Sequence, residues 1–371
     1  MINKLSLSNF KCFGNEETIS LSKFNVLYGK NGRGKSTIIQ SLLVLAQTLK
    51  SNDNVNQLLL NGEMVTLGSF NDVINKASTN QVDFQIGIDA EGESLRVSFC
   101  RSDAKAVFAS PASLCVNDQE YVNVVTSVNE TIGGVRSSIA QSGIKAFSLL
   151  KKLFYVSAGR IGPKNSVDFT ESYQTDYVTP SGHNIIPILA EKSADFKELF
   201  CQELSMILSG ASVKIKEDPH SNRIEIFLDS IDDTDGFRPT NVGYGYSYVL
   251  PIVLQTLLAP QDSIVVIENP EAHLYPGAQS RLVEFLVKYS MRKNIQFILE
   301  THSDHIINGI RISVKKQSLK RNDVSIIFID RDDSGMPYPV IKHIKVDANG
   351  TLSDEPEDFM DEWTKQMLEL L

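Results

Sequence analysis

Lys35, Ser36 and the glycines just before them are the residues whose types and spacing best suit chemistry. Phe24 to Thr37 read FNVLYGKNGRGKST, so a short apolar strand runs directly into Gly29, Asn31, Gly32, Arg33, Gly34, Lys35, Ser36 and Thr37. That spacing is a phosphate-binding P-loop. Glycines let the backbone wrap a phosphate chain with its N–H groups turned inward. Lys35 supplies a point charge for β/γ-phosphates, and the Ser36 hydroxyl can hold Mg²⁺. The helix expected from STIIQSLLVLAQTL adds its positive end. A Gly-rich surface turn would carry similar letters, but a strand before and a helix after the motif favour nucleotide binding.

Three more clusters carry polar chemistry. In SIVVIENPEAHLYP a buried strand ends in Glu268, followed by Asn269, Pro270 and Glu271. An acid at a strand end is the expected way to face Mg²⁺ beside a P-loop, although strands commonly end in polar turns. In QFILETH another apolar strand ends at His302, which can reach a γ-phosphate or an attacking water. A lone histidine at a strand end is more often structural. In NVGYGYS, Gly243, Gly245 and Ser247 precede a helix and form a second anion-binding start. One triphosphate cannot readily use both helix starts within one subunit. A dimer in which each copy offers this second loop to the other's nucleotide resolves the conflict.

These groups need a frame, and the remaining sequence supplies one. Of 371 residues, 42% are hydrophobic and 22% charged, ordinary for a globular protein with one large domain or two. A net charge of −9 argues against a surface that binds nucleic acid everywhere. Cys12, Cys100, Cys115 and Cys201 lie far apart, with no metal-type pair and no disulfide framework, which suits a reducing cytosol. The start, MINKLSLSNFKCFG, alternates like a strand and lacks a signal-peptide core. The longest apolar stretch, Tyr248 to Ala259, is too short to span a bilayer. Alternation over 81–125 predicts antiparallel strands, and 138–152 has helical spacing. Residues 164–185 read as a polar loop, followed by a helix (ADFKELFCQELSMIL) and a strand pair (SVKIKED, RIEIFLDS). From 240 onward helices alternate with strands, as in a parallel sheet.

With those elements in order, the chain resembles the ABC-type ATPase heads of the structural-maintenance and overcoming-lysogenization-defect groups. More closely, it looks like the bacterial AAA-type ATPases that carry a short C-terminal domain of unknown function. LSLSNFKCFG, LGSFNDVI, FYVSAGRIGP, NVGYGYSYVLP, VIENPEAHLYP, ETHSDHIINGIR and TLSDEPEDFMDEW carry the likeness over nearly the whole length. It implies that Lys35 and Ser36 are the Walker A lysine and magnesium hydroxyl, that Glu268 is the Walker B acid and that His302 is the switch histidine. It also implies that Gly243, Gly245 and Ser247 form a degenerate signature loop that reads the opposite subunit's γ-phosphate. One departure stands out. Where most such heads place a catalytic glutamate, this chain has Asn269, which can orient water but cannot take its proton. Either Glu271 substitutes or hydrolysis is slow.

The expected fold is therefore α/β: an ABC-ATPase-like P-loop head with a mixed sheet, two lobes and a central α+β insertion. The head's N-terminal part would span 1–80, the insertion 81–238, the C-terminal part 239–330, and a short packing segment 331–371. Asp330-Arg331-Asp332 resembles the paired acids of a Toprim nuclease, but about forty residues follow, too few for that domain. In DFMDEWTKQMLELL, the positions Phe359, Met360, Trp363 and Met367 are expected near one helical face. The resemblance implies a cytoplasmic ATPase that binds ATP and Mg²⁺ and dimerises around them. It would serve a bacterial defence system with a separate nuclease or toxin as effector, and no membrane. The rivals are a DNA-gripping tether or repair ATPase, to which the basic cluster Arg311, Lys315, Lys316, Lys320 and Arg321 would contribute, and a scaffold that never hydrolyses.

Overall fold

The computed structural model describes residues 1–77, 83–101, 107–117, 119–120, 144–162, 164–168, 173, 175–218, 220, 222–229, 236–331, 338–357 and 359–370. The chain begins with β1 (Ile2–Ser8), β2 (Glu17–Ser20), β3 (Phe24–Tyr28) and α1 (Lys35–Asn52). β4 (Leu58–Leu59) and α2 (Phe70–Val73) precede β5 (Asp83–Ala90), β6 (Glu93–Cys100), β7 (Phe108–Val116) and β8 (Gln119–Glu120). Next come α3 (Lys145–Lys151), β9 (Leu153–Val156), β10 (Ser166–Asp168), α4 (Ile185–Glu191) and α5 (Ala194–Leu208). β11 (Ser212–Asp218) and β12 (Arg223–Asp229) lead to α6 (Tyr244–Leu258), β13 (Ile264–Glu268), α7 (Pro276–Lys293), β14 (Gln296–Glu300) and α8 (Asp304–Lys315). β15 (Val324–Asp330), β16 (Val340–Ile344) and α9 (Glu362–Glu369) complete the series.

Two compact units emerge. The first comprises Met1–Leu153, Ser325–Ile344 and Pro356–Leu371. Its antiparallel sheet runs β2-β1-β5-β6-β7-β4, with β8 on β7, so β1 and β2 share a sheet with strands from the 81–125 region. A second group runs β16-β15-β3. All five residues of β3 are buried, as expected of a strand covered on both faces. α1 is apolar around much of its circumference, with Ile38, Ile39, Leu42, Leu43, Leu45 and Leu49 at 0% exposure, so it is a core helix. Truncating one of these, for example Leu42→Ala, should cost about 2–5 kcal/mol.

The C-terminal expectation needs correction here. α9 starts at Glu362, so Phe359 and Met360 precede the helix instead of sharing its face. Phe359 is buried against Tyr28 and Phe328, with ring centroids 5.1 and 5.6 Å away, while Met367 is 41% exposed. The Trp363 side chain, residues 121–125, residues 138–143 and Asp332 lie outside the described residues.

The second unit comprises Phe154–Val324 and Lys345–Glu355. Its central strands run β14-β13-β9, with β13 and β14 parallel and Glu268 in register with Glu300. A small antiparallel sheet runs β10-β12-β11. β10 falls inside the segment read as loop. Three residues are too few for periodicity to reveal, and pairing with Arg223–Glu225 creates the strand. α8 packs closely on α7 at Gly309, where a Cβ would lie 3.1 Å from Val283 Cβ.

Candidate functional site

In the first unit the P-loop is a continuous turn from β3 into α1. α1 is capped by Gly34 (φ 111°), with no side-chain acceptor at the cap and no acidic residue in the first turn. Thr37 and Ile38 N–H bond back to the Gly34 carbonyl at 3.1 and 3.2 Å, so the helix begins tightly and its positive end faces outward. Gly29 (φ 140°) lies flat on β15, where a Cβ would come within 2.1 Å of the Ile329 carbonyl oxygen. The Lys35 ammonium, only 3% exposed, folds over the loop and donates to the Gly29 and Lys30 carbonyls, each at 2.7 Å. Asn31, Gly32 and Ser36 are exposed, and the buried Thr37 hydroxyl accepts from Cys12 Sγ at 3.5 Å. Arg33 and Lys30 pair with Asp330 at 3.2 and 3.8 Å, so the acid that resembled a Toprim pair joins the phosphate loop to the end of β15.

In the second unit the ends of β13 and β14 gather the expected acids and histidine. Glu268 is half-buried, and its Oε2 accepts from the Tyr155 hydroxyl at 2.8 Å and the Ala158 N–H at 3.0 Å. Burial, reinforced by the Glu268 charge, pushes the Tyr155 phenol up, so it stays a donor. Asn269 adopts a left-handed conformation (φ 44°), and its N–H bonds to the Glu300 carbonyl at 2.7 Å. Both Glu271 oxygens are engaged, by the Thr301 hydroxyl at 2.7 Å and the His302 N–H at 2.9 Å. His302 itself is exposed.

The second glycine loop opens α6 in the same unit. Gly243 is the cap, again with no side-chain acceptor and no acid in the first turn. Gly245 faces the His273 carbonyl, and a Cβ there would sit 2.7 Å from it. Ser247 lies within the helix at 5% exposure, whereas Tyr244 is 69% exposed. Gly243 and Tyr244 therefore form the outer face of the loop.

Sequence reasoning missed the residue that knits this region together. Arg160, wholly buried, donates Nη1 to the Ser157 and Glu268 carbonyls (2.9 and 2.7 Å), Nη2 to Asn269 O (2.7 Å) and Nε to Tyr248 O (2.9 Å). Desolvation lowers its pKa to about 10. The only signal was its place in FYVSAGRIGP. The expected basic cluster is partly consumed: Arg311 bonds to Gly350 O and Asn308, and Lys316 pairs with Glu284 at 3.0 Å.

The P-loop fits a nucleotide's phosphate chain, with its glycine-capped helix start and its lysine set over the loop. Among the described residues no three His, Cys, Asp or Glu side chains gather to hold a metal. No described helix is long and apolar enough to cross a membrane.

Residues 1–209 match the family described as AAA ATPase domain, and residues 140–308 match "AAA domain, putative AbiEii toxin, Type IV TA system". Residues 319–370 match "Protein of unknown function (DUF3696)". No relative is found among curated proteins. Among solved structures, the SMC head domain from Thermotoga maritima is similar at TM-score 0.51 and 16% identity, covering 93% of this chain and 99% of that one. An Smc head with an extended coiled coil bound to the C-terminal domain of ScpA, derived from Pyrococcus furiosus, gives 0.53 and 15%, covering 100% and 99%. An SmcHead bound to the C-winged helix domain of ScpA gives 0.53 and 17%, covering 93% and 98%. These likenesses establish the mixed α/β fold of an SMC-type head. One family description spans more than half the chain, and the chain belongs to the AAA ATPase domain family.

Proposed function

We propose that this protein binds Mg·ATP, pairs with a second copy around it and hydrolyses it slowly, acting as the sensor or scaffold of a bacterial defence system whose effector is a separate protein. In this reading Gly29, Asn31, Gly32, Arg33, Gly34, Lys35, Ser36 and Thr37 receive the phosphates, and Ser36 and Glu268 serve the metal. Magnesium would supply charge neutralisation at the phosphates. Gly243 and Gly245 at the start of α6 serve the partner copy's nucleotide, with Ser247 as internal support.

The observation that carries this reading is the likeness of two helix starts. α1 and α6 are both capped by glycine, without a side-chain acceptor or a first-turn acid. A glycine cap lets an anion approach the backbone closely, and the positive end of the helix favours one there. Slow hydrolysis follows from Asn269 at the water-facing position and from Glu271, whose two oxygens already hold Thr301 and His302. A slow ATPase suits a protein that uses ATP to hold a state. The toxin–antitoxin description of one matching family supports the defence setting. Light scattering of the full chain during an ATP titration tests the core of this reading. The expected outcome is ATP-dependent doubling of mass, and a chain that binds ATP yet stays monomeric at saturation overturns the dimer.

A further inference from the structure

The segment Tyr155–Gly162 touches two functional loops of the second unit at once. Through its first half it grips the Glu268 carboxylate, with the Tyr155 hydroxyl and Ala158 N–H on the same oxygen. Its second half lies against α6. Gly162 (φ 69°) fits so closely on Ser247 that a Cβ would come within 2.5 Å of Ser247 Cβ and 2.7 Å of its carbonyl oxygen. That carbonyl belongs to the turn disrupted by Pro251, which has no N–H to return to the residue four positions earlier. Arg160 joins the halves. Its guanidinium reaches Tyr248 O on α6, the Glu268 and Asn269 carbonyls after β13, and Ser157 O in its own turn.

The chemistry of this contact is specific to arginine. A guanidinium offers five N–H donors in a rigid plane, so it can hold carbonyls of separate elements at fixed angles. An ammonium has a point charge and three donors on a flexible stem. Burying a charge is expensive, and the surrounding carbonyls, together with the nearby Glu271 and Glu268 charges, offset that cost. The bend at Asn269 is itself an uncommon backbone state for a non-glycine residue, and two of the four bonds land on it or its neighbour.

We propose that Arg160 is a positioning residue that locks the start of α6 to the Glu268–Asn269 bend, so that the contact made by one loop sets the geometry of the other. The proposal rests on the reading of α6 and Glu268 given under Proposed function. Arg160 touches no nucleotide in this scheme. It transmits the engagement of the α6 loop with a partner's phosphate to the acid and amide that handle the metal and the water.

The test compares wild type with Arg160→Lys and Arg160→Met in the full chain. In the nucleotide-free protein, amide hydrogen exchange should quicken in both variants at 243–248 and 268–271 together, while 29–37 is unchanged. Loosening confined to 157–160 overturns the lock. With ATP and Mg²⁺, Arg160→Lys should keep ATP affinity near wild type, lower the melting temperature by a few degrees through its unpaired carbonyls, and lose turnover by about a hundredfold, the scale of a roughly 1 Å misplacement. Wild-type turnover in Arg160→Lys overturns the proposal. So does a loss of ATP affinity that parallels the loss of turnover, which marks general structural damage. If wild type itself neither dimerises nor turns over ATP, the functional reading fails, and the nucleotide-free exchange still decides whether Arg160 locks the two loops.

Discussion

α1 and α8 each follow a buried strand and begin in a polar turn, yet their first turns are built in opposite ways. α8 is closed by its own residues: the Ser303 hydroxyl accepts from His305 N–H at 3.1 Å and Ile306 N–H at 3.4 Å, and Asp304 sits in the first turn. α1 has Gly34 at that position, no acceptor and no acid. The first N–H groups of a helix have no partner within the helix, and a serine cap supplies one where a glycine cap does not. α6 sides with α1, and α5, whose cap Ser193 accepts from Phe196 N–H, sides with α8. α3, α4 and α7 also begin without a side-chain cap or a first-turn acid, so what sets α1 and α6 apart is the glycine at the cap.

The sharpest way to break this contrast is Lys35→Ala. It removes the charge that sits over the open start, and charge-assisted bonds to phosphate contribute about 1.5–3 kcal/mol each. Calorimetry should show ATP affinity reduced by roughly a hundredfold or more. Unchanged affinity would remove the P-loop assignment. The buried Nζ also serves two loop carbonyls, so a modest loss of stability, about 1 kcal/mol, is expected alongside.

Next in size come the residues at the end of β13. If hydrolysis is limited by the missing carboxylate, Asn269→Glu should raise single-turnover cleavage by roughly a hundredfold, the scale of a general base. Glu271→Gln should then change turnover little. The opposite pattern, with Glu271→Gln abolishing cleavage and Asn269→Glu silent, would make Glu271 the base.

Gly243→Asp turns the open start of α6 into a closed one. The Gly243 backbone is in an ordinary region (φ −58°), and a Cβ there meets nothing within 4 Å, so the fold should accept the change. An aspartate at the cap satisfies the helix's own N–H groups and stabilises it slightly. The same carboxylate should repel a partner's phosphate and weaken ATP-driven dimerisation about tenfold or more, with monomer ATP affinity unchanged. Undiminished dimerisation in light scattering would break the likeness between α6 and α1.

The smallest effect belongs to the closed helix. Ser303→Ala should lower stability by about 1 kcal/mol in denaturant unfolding, the ordinary loss of a cap, without altering ATP affinity. A clear loss of affinity would mean that α8 also serves the nucleotide and that the contrast is misdrawn.

Much of this protein was legible in its letters because the relevant physics is local. The P-loop is a contiguous run whose glycines, lysine and following helix are fixed by short-range backbone geometry. Apolar runs such as FNVLY, IVVIE and QFILE revealed strands covered on both faces, and the polar residues at their ends were exposed as candidates by position alone. Where pattern was weak, as at three-residue β10 or before α9, the sequence misplaced the boundary.

The sequence by itself determined the phosphate loop, the order of strands and helices and the acids and histidine that end β13 and β14. Tertiary structure alone decided who holds them. Arg160 finds carbonyls 88, 108 and 109 positions away, Arg33 finds Asp330, and Ser247 turns inward against Gly162 while Gly243 stays outside. A hydrogen bond acts over about 3 Å of space regardless of distance along the chain, so its partner is set by how elements pack, which no local periodicity records.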